Sequence, residues 1–337
     1  MSHEHGGDRR IRFSTNIIGF YESGWWGLEP GLDHPRWTEA FWRDPRRYFD
    51  GMLDGARDAG LEGVELAPDP AGWEAALTVY GSPRGFQEAL AERGLVLSSS
   101  YAHGRQLIGN AIADPGLTGV ADDAFRRHAE FLAEMGAATI VTGNLPRSRF
   151  GNDSPDDTAT AEDFTRPVDR EVHERFAEHL NRLGAITIQH GVRIAIHTDA
   201  YSICSRNEDI ATVLELTDPA SVALCPDAGH ITLDGGDAVA VLRDHLDRIP
   251  TMHWKDCIGP KSGHLQRGDQ KQRHEQTMQS FRILGSGIVD WTEWMHILRD
   301  HDWSGWATEE IDHSPDPVVE LRQGLEYFRE HLVPIYR

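Results

Sequence analysis

VRIAIHT (192–198), NEDIATVLEL (207–216), VALC (222–225), DAVAVLRDHL (237–246) and TMHW (251–254) follow one another in the second half of the sequence. The first, third and fifth segments are short and mainly apolar, which is typical of buried strands. The second and fourth are longer and carry apolar residues at helical spacing. This stretch therefore predicts strands that alternate with helices, the arrangement of a parallel sheet.

The same alternation extends towards both ends of the chain. Further strands are predicted at residues 11–18, 63–66, 95–101, 137–142 and 306–311, each followed by an amphipathic segment. Eight strand–helix units without a dividing linker predict a single α/β domain, a (β/α)8 TIM barrel that covers residues 1–337. The alternative is an open, doubly wound sheet, but the first strand is not followed by a glycine fingerprint.

Composition disfavours several classes of protein. The chain has 54 acidic and 33 basic residues and a formal net charge of −21, which opposes binding to nucleic acid. No apolar run reaches the ~20 residues that span a bilayer, and the N-terminus lacks the apolar core of a secretory signal. Cys204, Cys225 and Cys257 have no C-x-x-C spacing and suit buried positions in a reducing compartment. We expect a cytoplasmic protein with no nucleic-acid or membrane partner.

Polar residues mark the carboxyl ends of the predicted strands, where barrels of this kind place their active sites. They are Asn16, Glu65, Tyr101, His103, Asn144, His197, Asp199, Asp227, His230, His253, Lys255, Glu309, Glu310 and Asp312. Each of the last four strands ends in a histidine or a carboxylate, and such side chains converging on rigid strand ends can hold a divalent metal. Each residue alone also has an ordinary explanation, as a hydrogen-bonded rim residue or a turn cap.

Alternation along a strand restricts which of these side chains face the barrel axis. Glu309 and Glu310 are adjacent, so one faces the axis and the other faces the helices or solvent. Lys255 shares the face of His253, so both are expected in the pocket. There a lysine either stabilises the charge of an enolate or acts as a base, or it forms an ion pair with a neighbouring aspartate such as Asp227.

Four motifs in the second half of the chain resemble those of a known family. PDAGH (226–230), MHWKD (252–256), LGSGIVD (284–290) and GWATEE (305–310) are similar to motifs of the xylose-isomerase-like barrels, the sugar phosphate isomerase/epimerase superfamily. That superfamily includes inosose dehydratase, ketose 3-epimerases, hydroxypyruvate isomerase and the endonuclease IV fold. The resemblance is clear over residues 185–315 and only architectural over residues 10–145.

The resemblance implies a metal site and a reaction. It assigns ligands on strands six to eight to Asp227, His253 and Glu310, with His197 at the position where the epimerases carry a glutamate. Because that glutamate is one of two epimerase bases, the chain looks more like inosose dehydratase, which removes a proton beside a ketone and expels a β-substituent. Two histidines and two carboxylates suit Mn²⁺, with Mg²⁺ or Co²⁺ as alternatives.

Six further strand-end residues are expected to act on the substrate. Lys255 and His230 are the predicted catalytic residues, the second through proton transfer or donation to a hydroxyl. Glu65, His103, Asn144 and Asp312 are predicted to bind the substrate, with His103 and Asn144 on the opposite face of the sugar.

Three polar or aromatic inserts are expected on the active-site face, at about residues 19–44, 144–170 and 257–280. The first contains Trp25, Trp26, Trp37 and Trp42, and exposed tryptophans favour stacking on a sugar or aryl ring, or anchoring of a partner protein. The chain also resembles the large subunit of the C-glycoside deglycosidases, which cleave the sugar–aryl bond of a 3-oxo-glucoside with a divalent metal. That resemblance implies a small β-rich partner subunit.

Several functions remain open at this point. The favoured one is a metal-dependent lyase acting on a keto-sugar or glycoside, by C–C cleavage of a 3-oxo-C-glucoside. The alternatives are an inosose or keto-sugar dehydratase, a sugar isomerase or epimerase, and an inactive sugar-binding scaffold subunit. The protein is expected to be an oligomer, as barrels of this family often pair.

Overall fold

Eight parallel strands form the sheet of this protein in its computed structural model, which describes residues 10–29, 34–147, 166–260, 270–312 and 314–337. The strands are β1 (Ile11–Asn16), β2 (Gly63–Leu66), β3 (Val96–Ala102), β4 (Thr139–Thr142), β5 (Arg193–His197), β6 (Val222–Cys225), β7 (Thr251–Trp254) and β10 (Gly305–Glu309). A short antiparallel hairpin, β8 (Asp256–Cys257) and β9 (Phe281–Arg282), follows β7. These eight strands confirm the predicted (β/α)8 barrel.

The strand order around the sheet is β6-β5-β4-β3-β2-β1-β10-β7. The two outer strands of this order meet through a parallel bridge between Asp227 and His253, where the His253 amide donates to the carbonyl of Pro226 at 3.0 Å. The barrel therefore closes at the site where two of the predicted metal ligands lie.

Helices surround the sheet. They are α1 (His34–Arg43), α2 (Pro45–Ala59), α3 (Trp73–Tyr80), α4 (Pro83–Ala91), α5 (Gly104–Ala113), α6 (Thr118–Met135), α7 (Arg170–Thr187), α8 (Asn207–Leu216), α9 (Ala228–Leu233), α10 (Ala238–His245), α11 (Gln270–Met278), α12 (Trp291–Asp300), α13 (Pro317–Tyr327) and α14 (Val333–Tyr336). None of the helices in the described ranges is long and apolar enough to cross a membrane.

Local signals explain where the helices begin and end. The Asp290 side chain accepts a hydrogen bond from the Glu293 amide at 3.0 Å and so caps α12, as the D-x-x-E spacing predicts. Gly60 ends α2 with φ of 89°, a conformation that glycine adopts without steric cost. The three cysteines are free and buried, as predicted.

The aromatic segment after β1 differs from the sequence prediction. Trp37 is 1% exposed, and its ring stacks on Trp26 with centroids 5.6 Å apart. The reason is that Trp37 and Phe41 lie one helical turn apart in α1, so both pack inward, Trp37 against the ring of Tyr48. Trp42, 47% exposed, is the tryptophan of this segment that faces solvent. The segment is therefore mainly core and not a loop of exposed rings.

The other two predicted inserts are described only in part. Residues 148–165 of the second insert and 261–269 of the third lie outside the described residues, as do residues 30–33 of the first. The expected position of these two inserts on the active-site face therefore stays a prediction.

Candidate metal centre and active site

Four side chains from the last four barrel strands meet at the carboxyl ends of those strands. His197 ends β5, Asp227 follows β6, His253 lies in β7 and Glu310 follows β10. One nitrogen or oxygen atom from each lies within 4.8 Å of those of the other three, and all four residues are buried. His197 Nε2 is 3.5 Å from both Asp227 Oδ2 and Glu310 Oε2. Glu310 Oε2 also contacts His253 Nδ1. The structure thus brings together the four residues predicted as metal ligands.

The chemistry of this cluster fits a divalent cation. His197 Nε2 and Asp227 Oδ2 are buried and have no hydrogen-bond partner among the described residues. Buried polar atoms are rarely left unpaired, because desolvation costs about 1–3 kcal/mol for each such group. Two imidazole nitrogens and two carboxylates are a common ligand set for a divalent metal with open coordination positions.

Charge also favours a cation at this position. Burial alone would raise the pKa of Asp227 and of Glu310. Lys255 and the neighbouring histidines have the larger effect and lower both pKa values below their ordinary range, so the two carboxylates are anionic. Burial lowers the pKa of His197 and of His253, yet the surrounding carboxylates raise it well above the ordinary value. Protons on these imidazoles therefore balance the carboxylates, and a bound cation would replace them.

Adjacent glutamates on β10 face opposite ways, as alternation predicts. Glu310 joins the cluster, whereas Glu309 points to the helices, where its Oε1 accepts from the Leu284 amide at 3.1 Å. A Cβ atom on Gly324 of α13 would lie 2.1 Å from Glu309 Oε2, so this carboxyl packs directly against the helix backbone. Of the two glutamates, Glu310 is therefore the one whose side chain lies in the pocket.

Lys255 lies beside the cluster in a buried group of polar side chains. Its Nζ contacts Asp312 Oδ2 and lies 3.1 Å from His230 Nε2. It is also 3.6 Å from Asp227 Oδ2 and from Glu310 Oε1. Burial alone would lower the pKa of Lys255, but the three carboxylates raise it above its ordinary value, so the lysine is an ammonium ion. Lys255 therefore contacts both the other predicted catalytic residue, His230, and Asp312.

His230 is held by the Asp227 side chain and by the backbone of Ala200. Its amide donates to Asp227 Oδ1 at 2.9 Å at the start of α9, so Asp227 also caps the turn as the sequence allowed. Its Nδ1 accepts from the Ala200 amide at 2.9 Å. Burial lowers the pKa of His230 to about 3, so the ring is neutral and carries its proton on Nε2. This N–H group faces Lys255 Nζ and can form a hydrogen bond with it only when the lysine is an amine.

The remaining motif residues hold the β7 loop in place. Asp256 Oδ1 accepts from the Val289 amide at 3.1 Å, and its Oδ2 accepts from Trp291 Nε1 at 2.9 Å. A Cβ atom on Gly287 would lie 2.2 Å from Asp256 Oδ1. The aspartate of MHWKD therefore fastens the LGSGIVD loop, and Gly287 permits its close approach.

Three residues predicted to bind substrate contact other residues of the protein in the structure. Glu65 is completely buried behind His253, whose Nε2 lies 2.9 Å from Glu65 Oε1. Asn144 is also buried, and its Nδ2 donates to the carbonyl of His197 at 2.8 Å. His103 Nε2 accepts from the Asp69 amide and lies 3.0 Å from Asp69 Oδ2, at an open cleft. Glu65 and Asn144 thus contact the cluster residues themselves.

Sequence reasoning assigned no role to three further neighbours of the site. Asp199 Oδ1 lies 3.1 Å from His197 Nδ1, and its position two residues after a strand-end histidine is a signal that alternation provides. The Tyr101 ring lies 5.7 Å from that of His197. Phe281 covers Lys255 and His230, with its ring centroid 4.5 Å from Lys255 Nζ. Its contact depends on the β8–β9 hairpin, which no local pattern predicts.

Similar proteins include several inosose dehydratases. Inosose dehydratase of Geobacillus thermodenitrificans is 29% identical over 214 residues, covering 62% of this chain and 70% of the relative. Inosose dehydratase of Bacillus velezensis is 27% identical over 276 residues, covering 79% and 82%.

Solved structures share the fold. A probable 3-DHS dehydratase from Bacillus anthracis superposes with a TM-score of 0.65 at 14% identity, covering 95% of this chain and 99% of that one. D-allulose 3-epimerase from Methylomonas sp. gives 0.63 at 14% identity, with 97% and 99% coverage.

The family assignment follows from a match that covers most of the chain. The sequence matches the xylose isomerase-like TIM barrel family over residues 53–331, which contain all four cluster residues and Lys255. The barrel and the motifs on its last three strands agree with that match. The chain belongs to the xylose isomerase-like TIM barrel family.

Proposed function

We propose that the protein is a divalent-metal-dependent lyase that removes a proton beside the ketone of a keto-sugar or inosose and eliminates a β-substituent. The observation that carries this proposal is the buried cluster of His197, Asp227, His253 and Glu310 beside the Lys255–His230 contact. The similarity to inosose dehydratases supports a dehydratase, in which the group that leaves is water.

The cluster residues would hold the metal, with Mn²⁺ as the expected ion. A bound divalent cation supplies Lewis acidity, which polarises a ketone oxygen and makes the neighbouring C–H group more acidic. The metal site would lie next to a buried group that can carry a proton, since Lys255 Nζ is 3.6 Å from Asp227 Oδ2 and from Glu310 Oε1.

Lys255 Nζ is the atom that we propose moves the proton. The amine form of Lys255, which a cation bound beside the carboxylates would favour, can accept the proton from carbon, and the resulting ammonium group can donate a proton to the oxygen that leaves as water. One C–H and one C–O bond break, a C=C bond forms and water departs, so elimination needs no oxidant or reductant. Nε2–H of His230 could donate to the amine form of Nζ, and the carboxylate of Asp312 would accept from the ammonium form.

Substitution of Lys255 tests this role. In K255M, α-proton exchange with solvent deuterium and elimination should both fall by at least about 100-fold, the lower range for a general acid–base group. K255R keeps a charge but releases a proton much less readily. Activity in K255R near that of the wild type would show that charge alone is needed, and would rule out proton transfer by Lys255. H230Q replaces the neighbouring ring that contacts Lys255 Nζ and serves as the comparison variant.

The second candidate is C–C cleavage of a 3-oxo-C-glucoside with a small β-rich partner. It would use the same α-proton removal and the same residues, with an aryl carbon in place of oxygen as the group that leaves. The inward packing of Trp37 and Trp26 removes much of the exposed aromatic surface that favoured an aryl substrate. The dehydratase is therefore the better supported function.

Two substrates separate the candidates. Metal-dependent α-proton exchange followed by water loss from an inosose would support the dehydratase, while release of the aryl group from a 3-oxo-C-glucoside would support the second candidate. Interconversion of ketoses without elimination would indicate an isomerase or epimerase. No metal binding and no exchange with either substrate would leave a sugar-binding scaffold.

Sedimentation of the protein would test the predicted oligomer.

A further inference from the structure

Each histidine of the metal cluster has a carboxylate on the ring nitrogen that points away from the cluster. His253 Nε2 lies 2.9 Å from Glu65 Oε1, while Nδ1 of the same ring faces Glu310. His197 Nδ1 lies 3.1 Å from Asp199 Oδ1, while its Nε2 faces Asp227 and Glu310. The arrangement is the same for both rings, although opposite nitrogens are used.

This arrangement determines which nitrogen of each ring carries the proton. Once a cation replaces the proton on the nitrogen that faces the cluster, each imidazole is neutral and has one N–H group and one lone pair, on different nitrogens. A carboxylate accepts only from the N–H group, so Glu65 places the His253 proton on Nε2 and Asp199 places the His197 proton on Nδ1. The lone pairs are then on His253 Nδ1 and His197 Nε2, the two nitrogens that face the cluster.

Both carboxylates are themselves fixed by hydrogen bonds. Asn16 Nδ2 donates to Glu65 Oε1 at 2.6 Å, and Ser99 Oγ donates to Glu65 Oε2 at 2.6 Å. The Asn144 amide donates to Asp199 Oδ2 at 3.2 Å, while the Asn144 side chain donates to the carbonyl of His197. Neither carboxylate needs to reorganise when the histidines bind a cation.

We infer that Glu65 and Asp199 are positioning residues that set the metal affinity of the site by holding His253 and His197 in the metal-binding tautomer. The inference rests on the proposed metal-dependent function. The negative charge of each carboxylate also makes the ring that it contacts a stronger ligand, and loss of such a partner typically weakens metal binding by about 10–100-fold.

The two carboxylates should differ in strength. The Glu65 side chain is completely buried, whereas that of Asp199 is 23% exposed. A charge interaction is stronger in the protein interior and is screened by salt near the surface. Loss of the Glu65 charge should therefore weaken metal binding more than loss of the Asp199 charge, and added salt should reduce only the Asp199 effect.

The test uses E65Q and D199N, which keep the shape of each side chain but remove its charge and introduce an N–H donor that can turn towards the ring nitrogen. E62Q is the matched control, because Glu62 is close in sequence but its carboxylate pairs with Arg12 at 3.6 Å. The measurements are the Mn²⁺ dissociation constant by calorimetry, the visible spectrum of the Co²⁺-loaded protein and the Tm of the metal-free protein. The spectrum reports on the ligand field, which a purely structural effect on folding would leave unchanged.

We expect Mn²⁺ binding to weaken by about 10–100-fold in E65Q and by less in D199N, with shifted Co²⁺ bands in both and no change in E62Q. If E65Q and D199N bind Mn²⁺ as tightly as the wild type, the inference is wrong while the metal centre stands. Weakened binding with an unshifted Co²⁺ spectrum and a lowered metal-free Tm would also overturn it. If the wild type binds neither ion, the proposed metal centre itself fails.

Discussion

At the residue scale, burial of single ionisable side chains makes stability depend on pH. Glu309 lies between β10 and α13, where burial raises its pKa from 4.5 to about 8. Between these two values the unfolded chain is ionised at this position and the folded chain is protonated. Folding then binds a proton, so the free energy of unfolding falls by up to about 1.4 kcal/mol per pH unit as pH rises through that window.

E309Q should remove this dependence, because glutamine resembles the protonated acid and stays neutral. The Tm of E309Q should equal or exceed that of the wild type at pH 8 and approach it near pH 5. Thermal denaturation from pH 5 to pH 9 measures the difference. E326Q, a change at an exposed position of α13, provides the control. A parallel pH profile for E309Q and the wild type would show that Glu309 is ionised in the folded protein.

The contribution of His128 to the pH dependence of stability has the opposite sign to that of Glu309. Its ring is buried between Trp73 and β3, with Nε2 2.8 Å from Ser100 Oγ, and burial lowers its pKa from 6.5 to about 3. Between these values the unfolded chain binds a proton at this position that the folded chain does not. The stabilising contribution is therefore complete above pH 6.5, and it is lost by up to about 1.4 kcal/mol per pH unit as pH falls towards 3.

H128Q should remove this acid-dependent loss. Its free energy of unfolding should be lower than that of the wild type at pH 7, because the stacked ring is lost, but the difference should shrink towards pH 4. Urea denaturation at pH 4, 5.5 and 7 measures it, with H296Q on the surface of α12 as control. A constant difference at all three pH values would contradict the prediction.

At the element scale, the sequence predicted the strands, which follow from local periodicity. It did not predict elements and contacts that depend on residues distant in the sequence. Every barrel strand was placed, because each is a short buried run between helices. Helix α1 was not predicted, because polar residues surround Trp37 and Phe41 in the sequence. These two rings form one buried face of the helix only through their contacts with α2. Likewise, the cluster of His197, Asp227 and His253 follows from strand ends, whereas Phe281 reaches Lys255 only through the β8–β9 hairpin.

The loop that follows this hairpin provides a test at the same scale. A methyl group on Gly287 would overlap Asp256 Oδ1 and the carbonyl of Cys257, at 2.2 and 2.3 Å. G287A should therefore displace the loop that Asp256 holds and destabilise the protein by about 1–3 kcal/mol, the range for overpacking. G119A is the control, because nothing lies within 4 Å of its methyl group and α6 should gain about 1 kcal/mol. Equal Tm values for the two variants would exclude a close approach at Gly287.

At the scale of the whole molecule, the metal cluster lies where the barrel closes. Asp227 and His253 form the bridge between β6 and β7, and Glu310 follows β10, the neighbour of β7. A cation held by all of them would connect three strands that are distant in sequence. Binding to the folded state alone stabilises it, by about 2.7 kcal/mol when the free ion exceeds its dissociation constant 100-fold.

Metal removal should therefore lower the Tm of the wild type, and Mn²⁺ should restore it in a concentration-dependent way. D227A and E310A should lose both the Mn²⁺-dependent increase in Tm and the bound metal, because each removes a ligand and leaves the remaining charges unbalanced. Differential scanning calorimetry with and without chelator, together with metal analysis, measures both effects. E309Q is the control, since its side chain lies outside the cluster and the metal response should be unchanged. If D227A and E310A both keep their metal and their Mn²⁺-dependent shift, the ion binds elsewhere, and the barrel is closed by its backbone bridge without help from a metal.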